Sequence, residues 1–383
     1  MSNASNIAAA TRKMPLAAIA LTVFSAVPSF QAPDGHNFVA YYVITLVGIW
    51  LIQLRWEIKI FASMAAASCA WLQLMTACVE PRTLSSMFFK LYVSANCDYQ
   101  FILIFCGLYA MIRWVRPSAA TWLDFLCWIG LIEIVRISAQ TLGWDPVYVP
   151  VNGASTINMA AGSQGNIGWS AMVLALCAPG FLRPGRYWGL VPVILGVVVK
   201  QSLVPAAATA GAIIVYALFK KDAKMKLWVI AAVVFGLALY IEWDASAGRD
   251  SLAMAQNGRI GHWLKAVSIC SLREAWVFGF GQGSWIFLYP TSGHTLFRAH
   301  CEPLQVWWEL GAAGVLSILL YGRYLILRFI EAGRSGYGLH ASCGMVAVII
   351  CAAGNFPFHL AGVAAIAVGW MAMFENLTEQ EEP

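Results

Sequence analysis

GLHASCGMVAVIICAAGNFPFHLAGVAAIAVGWMAMF, residues 338–374, contains no Asp, Glu, Lys or Arg. So long a run without charge suits lipid better than the core of a water-soluble domain. It divides into two apolar spans, 338–353 and 357–374, each close to the roughly 20 residues that cross a bilayer. Working outward, spans of the same kind fall at 14–30, 38–54, 60–78, 99–115, 120–137, 166–182, 187–200, 203–219, 226–242 and 304–329. The first follows Arg12 and Lys13 and has the flanks of a signal peptide. Further spans follow at once, so it reads as an uncleaved first helix. The expected fold is all-α, a polytopic integral membrane protein of about 12 transmembrane helices.

Composition agrees. The 383 residues are 60% hydrophobic and 11% charged, with a mean hydropathy of +0.69, whereas soluble domains are about one quarter charged. The 17 Trp and 13 Tyr suit the aromatic belts of a bilayer interface. The net charge of +5 comes without a basic run or an interleaved aromatic-basic patch, which argues against nucleic acid as a partner. Topology accounts for it better. With the N-terminus inside, Arg55 and Lys59, Arg113 and Arg116, Arg183 and Arg186, Lys220 to Lys226, and Arg323, Arg328 and Arg334 all fall in cytoplasmic loops. Of the 24 Lys and Arg, roughly 15 then lie inside and about nine outside, as the positive-inside rule requires.

Two stretches break the run of short connections, 138–165 and 243–303, and both face away from the cytoplasm on this topology. Loops of such length in a compact protein are usually functional or disordered. The chain therefore divides into an N-terminal helix bundle (1–242), a periplasmic loop with short interfacial helices and the candidate chemistry (243–303), and C-terminal helices with a short cytoplasmic tail (304–383). Within the loop, Ile260, Trp263, Leu264 and Val267 recur at i, i+3, i+4 and i+7, the apolar stripe of a helix lying on the membrane. Next comes FGFGQGSW, whose glycines permit tight turns and close backbone approach. A turn is its ordinary reading, a phosphate loop the sharper one. The loop closes on FRAHCEPLQVWWELGAAG. Pro303 suits the first turn of a helix, so His300 stands just ahead of a helix N-terminus, where free N–H groups favour an anion.

The order GRIGHW, FGFGQG, AHCEPLQVWWELGAAG, over residues 258–315, resembles the O-antigen ligase/polymerase superfamily of bacterial envelope enzymes. Members carry an Arg before a Trp, a Gly-rich turn, and a His-Asn dipeptide leading into an "ELG…G" helix. This sequence has Cys301 where the family has Asn. In place of the family's Ser-Arg pair at the head of a middle span, KQSLVPAAATA offers Lys200. The resemblance implies a GT-C-like membrane protein of the bacterial inner membrane with its active site on the periplasmic side. It implies inverting transfer of a glycan from an undecaprenyl-diphosphate-linked donor to a sugar hydroxyl of lipid A–core or of a growing chain, with no cofactor.

The residues suit that chemistry. A hydroxyl nucleophile needs a base, and His is poised for the task near neutral pH. The leaving lipid diphosphate needs positive charge; the sequence has no Asp-x-Asp metal motif, and guanidinium groups can serve instead. His300 is the expected base and Arg259 the expected diphosphate ligand, with Lys200, Arg273 and Arg298 as further candidates and no metal. The plainer alternatives are an interfacial role for His300 and a lipid-headgroup anchor for Arg259. His262 and His294 read as structural or solvent-facing, Glu133 and Arg136 as an ion pair within a span, and Gly311 and Gly314 as sites of close helix packing. The ten cysteines show no metal-ligand spacing, and Cys78–Cys97 and Cys270–Cys301 are the pairs that could bridge in an oxidising compartment. The modest loop and the lack of an appended soluble domain favour a ligase over a polymerase. A membrane transporter or lipid flippase would show repeats, broken helices and midplane charge, whereas the unusual charge here lies on a loop.

Overall fold

The computed structural model describes residues 55–60, 62–64, 105–142, 167–199, 202–219, 236, 259–272, 275–281, 284–285, 299–331, 333–334 and 336–380. Among them the chain is all-helical, with short 3-10 turns and no strand. The helices are α1 (Phe105–Val115), α2 (Ala119–Thr141), α3 (Ile167–Cys177), α4 (Leu190–Val199), α5 (Leu203–Phe219), α6 (Gly261–Leu272), α7 (Glu302–Glu331), α8 (Gly336–Gly354) and α9 (Ala361–Gln380). The apolar run at 203–219 becomes α5, and the run at 304–329 becomes α7 with short extensions at both ends. The spans expected at 14–30 and 38–54, and nearly all of 60–78 and 226–242, lie outside the described residues. Among the described residues two helices, α7 and α8, are long and apolar enough to cross a membrane; α1, α3, α4 and α5 are shorter apolar helices.

The chain forms two compact units, Met1–Val115 with Arg259–Ile326, and Arg116–Gly258 with Leu327–Pro383. In the second unit α2 starts where Pro117 ends the preceding helix. Ser118 caps it, its hydroxyl accepting the Thr121 N–H at 3.1 Å, which satisfies a donor that the first turn leaves open. Helices approach closely where a side chain is missing. Gly211 of α5 lies under Ile350 of α8, Gly354 of α8 meets Val204 of α5, and Gly344 of α8 meets the Trp370 indole of α9. Such small-residue contacts let helix backbones approach closely and gain van der Waals packing. The Trp370 indole N–H donates to the Leu176 carbonyl at 2.8 Å, leaving no buried donor open there.

Several polar groups of this unit are paired. The buried Glu133 carboxylate accepts the Ser170 hydroxyl, a contact between α2 and α3. Asp124 receives Arg183 and, at 3.2 Å, Arg186, and Arg116 lies 3.9 Å from Glu379. In the first unit the Arg55 guanidinium makes a two-pronged bond to Glu57, at 3.2 Å and 2.9 Å. It also stacks 3.3 Å over the Tyr324 ring, a cation–π contact worth roughly 0.5–2 kcal/mol.

Candidate functional site

The expected site falls in the first unit, where α6, the glycine-rich turn and the start of α7 meet. Along α6 the apolar positions sort onto two faces. Ile260, Leu264 and Val267 point out, at 42%, 66% and 38% exposure. Trp263 departs from the stripe the sequence suggested and turns inward, because its indole N–H donates to the Ala299 carbonyl at 2.7 Å. Ala266 and Cys270 follow on that inner face, fully buried with Trp285, Ala299 and Trp308. The Phe280 and Trp285 rings close on Trp308 at 4.5 Å and 5.1 Å between centroids, a spacing at which aromatic pairs add to plain area burial.

Arg259 stands four residues before Trp263, in a π turn that leads into α6. It is half-buried, and burial holds its guanidinium below the usual arginine range. A cation withdrawn from water interacts more strongly with an anion brought beside it. The same burial pushes the Cys270 thiol up to about 11.

His300 sits at the entrance of α7, immediately after the Ala299 carbonyl that Trp263 holds. Its φ is 53°, the left-handed region, which His tolerates better than most residues but at a cost on the order of 1 kcal/mol. The next residues explain how that conformation persists. Cys301 takes the N-cap position: its sulfur accepts the Leu304 N–H and its carbonyl accepts the Gln305 N–H at 2.9 Å. A thiol thus fills the place where the resembling family has Asn, the better cap. Burial raises the Cys301 thiol above its ordinary value, the Leu304 N–H offsetting part and Glu302 adding to the rise. Pro303 occupies the first turn, where its missing N–H costs nothing. The buried Glu302 puts a carboxylate of the protein's own at the positive end of the helix.

The glycines serve backbone docking. Gly311 interrupts α7 at φ 64°, ψ −156°, a conformation almost confined to glycine. The break frees carbonyls that a continuous helix would use. The Phe280 N–H donates to Trp308 at 2.7 Å and the Gly281 N–H to Glu309 at 2.9 Å; in return the Ala312 N–H reaches the Trp276 and Val277 carbonyls at 2.8 Å and 3.0 Å. A side chain on Gly279 or Gly311 would run into the backbone of Glu309 or Val277 respectively. GFG is therefore a turn docked on a broken helix. The N–H groups of Phe280 and Gly281, which a phosphate loop would need, are already engaged. Gly311 is a helix break rather than the packing site expected of it, and Gly314 faces Val306 and Leu310 of its own helix.

Of the expected site residues, Arg259 and His300 fall on elements joined by the Trp263–Ala299 bond, while Lys200, Arg273, Arg298 and His294 lie outside the described residues. His262 is half-buried on α6. Cys270 and Cys301 are free thiols, and Cys78 and Cys97 lie outside the described residues. Among the described residues no three His, Cys, Asp or Glu side chains gather to hold a metal. The sequence reading passed over Gln305 and Glu309, both buried and bonded to each other at 3.0 Å. Polar residues at 302, 305 and 309 on one face of an apolar span were the available sign. No family model matches the sequence, and no curated protein matches it.

Proposed function

We propose that the chain is a bacterial inner-membrane glycosyltransferase of about 12 spans, GT-C-like, with its site on the periplasmic face. It transfers a glycan from undecaprenyl diphosphate to a sugar hydroxyl, ligase-like, without a metal. The observation that carries this reading is the 2.7 Å bond from the Trp263 indole to the Ala299 carbonyl. It ties the helix start bearing a half-buried Arg259 to the backbone beside His300, which supports assigning a cation and a base to one site. In the reaction, neutral His300 takes the acceptor O–H proton while the acceptor oxygen bonds to the anomeric carbon. The bond from that carbon to the diphosphate oxygen breaks on the opposite face, with inversion. The lipid diphosphate departs with the electron pair, its charge met by Arg259 through a planar fork that suits phosphate oxygens.

The proposed topology has support within each unit. Arg55 stacks on Tyr324, and Arg116 approaches Glu379; the charge rule puts both members of each pair at the cytoplasmic side. The experiment is a transfer assay in EDTA, with purified protein, a glycan on undecaprenyl diphosphate, and either lipid A–core or a second lipid-linked glycan as acceptor. Glycosylated lipid A–core is the expected product. Chain growth on the second donor would instead mark a polymerase of the same chemistry. No transfer to either acceptor would refute the enzyme reading, and transfer only after magnesium or manganese is added would refute the metal-free clamp.

A further inference from the structure

We propose that Gln305 is a positioning residue that acts through the backbone of His300; the proposal rests on the glycosyl-transfer reading above. The Gln305 side chain is fully buried. Its Oε1 accepts the Ala299 N–H at 3.3 Å, and its Nε2 donates to Glu309 Oε1 at 3.0 Å. A backbone N–H can only donate, so the amide must turn its oxygen to Ala299, which leaves its nitrogen to Glu309. Its own backbone N–H donates to the Cys301 carbonyl at 2.9 Å. One residue therefore holds the chain on both sides of His300.

Ala299, the residue before His300, is held through both of its backbone polar groups. Trp263 takes its carbonyl from α6, and Gln305 takes its N–H from α7. With the flanking groups fixed, His300 keeps its left-handed φ of 53° instead of relaxing toward an ordinary conformation. The line along which its Cα–Cβ bond leaves the chain follows from that φ. Glu309 belongs to the same device, because its backbone carbonyl accepts the Gly281 N–H at 2.9 Å while its carboxylate orients the amide. The docked glycine turn thus anchors the far end of the chain that sets the base. The glutamine amide accepts from Ala299 and donates to Glu309 across a reach that the shorter hydroxyl side chains of Ser and Thr do not span. Leucine would fill the volume and supply neither bond. Glutamate would keep the acceptor and set a second carboxyl group against Glu309, a contact that is met only if one of the pair holds a proton.

The test compares wild type, Gln305→Leu, Gln305→Glu, His300→Ala and the Gln305→Leu/His300→Ala pair. Each is purified in detergent, confirmed as folded by size exclusion, and measured for donor binding and single-turnover transfer. Gln305→Leu should lower the transfer rate by about 10- to 100-fold, the scale of a misplaced catalytic group, with donor binding unchanged. Gln305→Glu should fall between it and wild type. In the His300→Ala background, Gln305→Leu should add little, because the group it positions is gone. Normal transfer by folded Gln305→Leu, or an equal further loss in the double variant, would overturn the positioning role while leaving the enzyme reading intact. Should Gln305→Leu not fold, Gln305→Glu decides on the same readouts, and normal transfer by it overturns the proposal. A wild type that transfers nothing refutes the glycosyl-transfer reading, and the positioning role with it.

Discussion

Gly311→Ala tests the broken-helix site where its parts are most interdependent. At φ 64°, ψ −156° an alanine is strained by about 1–3 kcal/mol, and its Cβ would strike the Val277 carbonyl. The helix can escape only by straightening or shifting. That would give up the bonds from Phe280 to Trp308, from Gly281 to Glu309, and from Ala312 to Trp276 and Val277. At about 1 kcal/mol net for each of those bonds, either route costs on the order of 3–4 kcal/mol. The control lies in the same helix: a Cβ on Gly322 would meet nothing within 4 Å, so Gly322→Ala should be neutral or stabilising by up to about 1 kcal/mol. Unfolding in detergent followed by tryptophan fluorescence reads the difference directly, since Trp285, Trp307 and Trp308 surround the docked turn. The midpoint should fall for Gly311→Ala and hold for Gly322→Ala. Equal midpoints within about 0.5 kcal/mol would refute the docked-turn account.

Two further outcomes concern the cysteines. Cys301→Asn should keep the start of α7 or stabilise it by up to about 1 kcal/mol, since Asn is the stronger N-cap; a marked loss of stability would show that the sulfur does more than cap. Burial lifts the Cys270 thiol from 9.0 to about 11, so between those values the unfolded chain loses a proton that the folded one keeps. Stability should therefore decline as pH rises from about 9 to about 11, by roughly 2–3 kcal/mol in all. Unfolding midpoints across that range, compared with Cys270→Ala, should show the variant lacking that part of the slope; an identical slope would remove the assignment.

The apolar runs were legible as helices because each stays apolar, with almost no charge, over the length of several helical turns. The run at 203–219 gave a helix with those same ends, and Pro303 announced the start of α7. The face of α6 was only half legible. Its spacing found an apolar stripe, but Trp263 has a hydrogen-bond donor as well as an apolar ring, and its partner at Ala299 is 36 residues away in sequence. Gly311 could not be distinguished from a packing glycine within the span. Its break becomes visible only when the Trp276–Gly281 turn arrives to use the freed carbonyls. Gln305 and Glu309 were within reach of sequence reading, since buried polar groups on an apolar helix demand partners. The resemblance drew attention to His300 and away from the residues that hold it.

The most direct test of the central claim is a matched measurement of donor binding and single-turnover transfer for His300→Ala, Arg259→Ala and Arg259→Lys. His300→Ala should lower turnover by about 10²–10⁴-fold, the range of acid/base assistance, and leave donor binding nearly unchanged. Arg259→Ala should weaken both binding of the lipid diphosphate and its transfer, with Arg259→Lys recovering only part, because an ammonium lacks the planar fork. Near-normal transfer by a folded His300→Ala protein would contradict the account, since no base would then be needed where the structure holds this histidine.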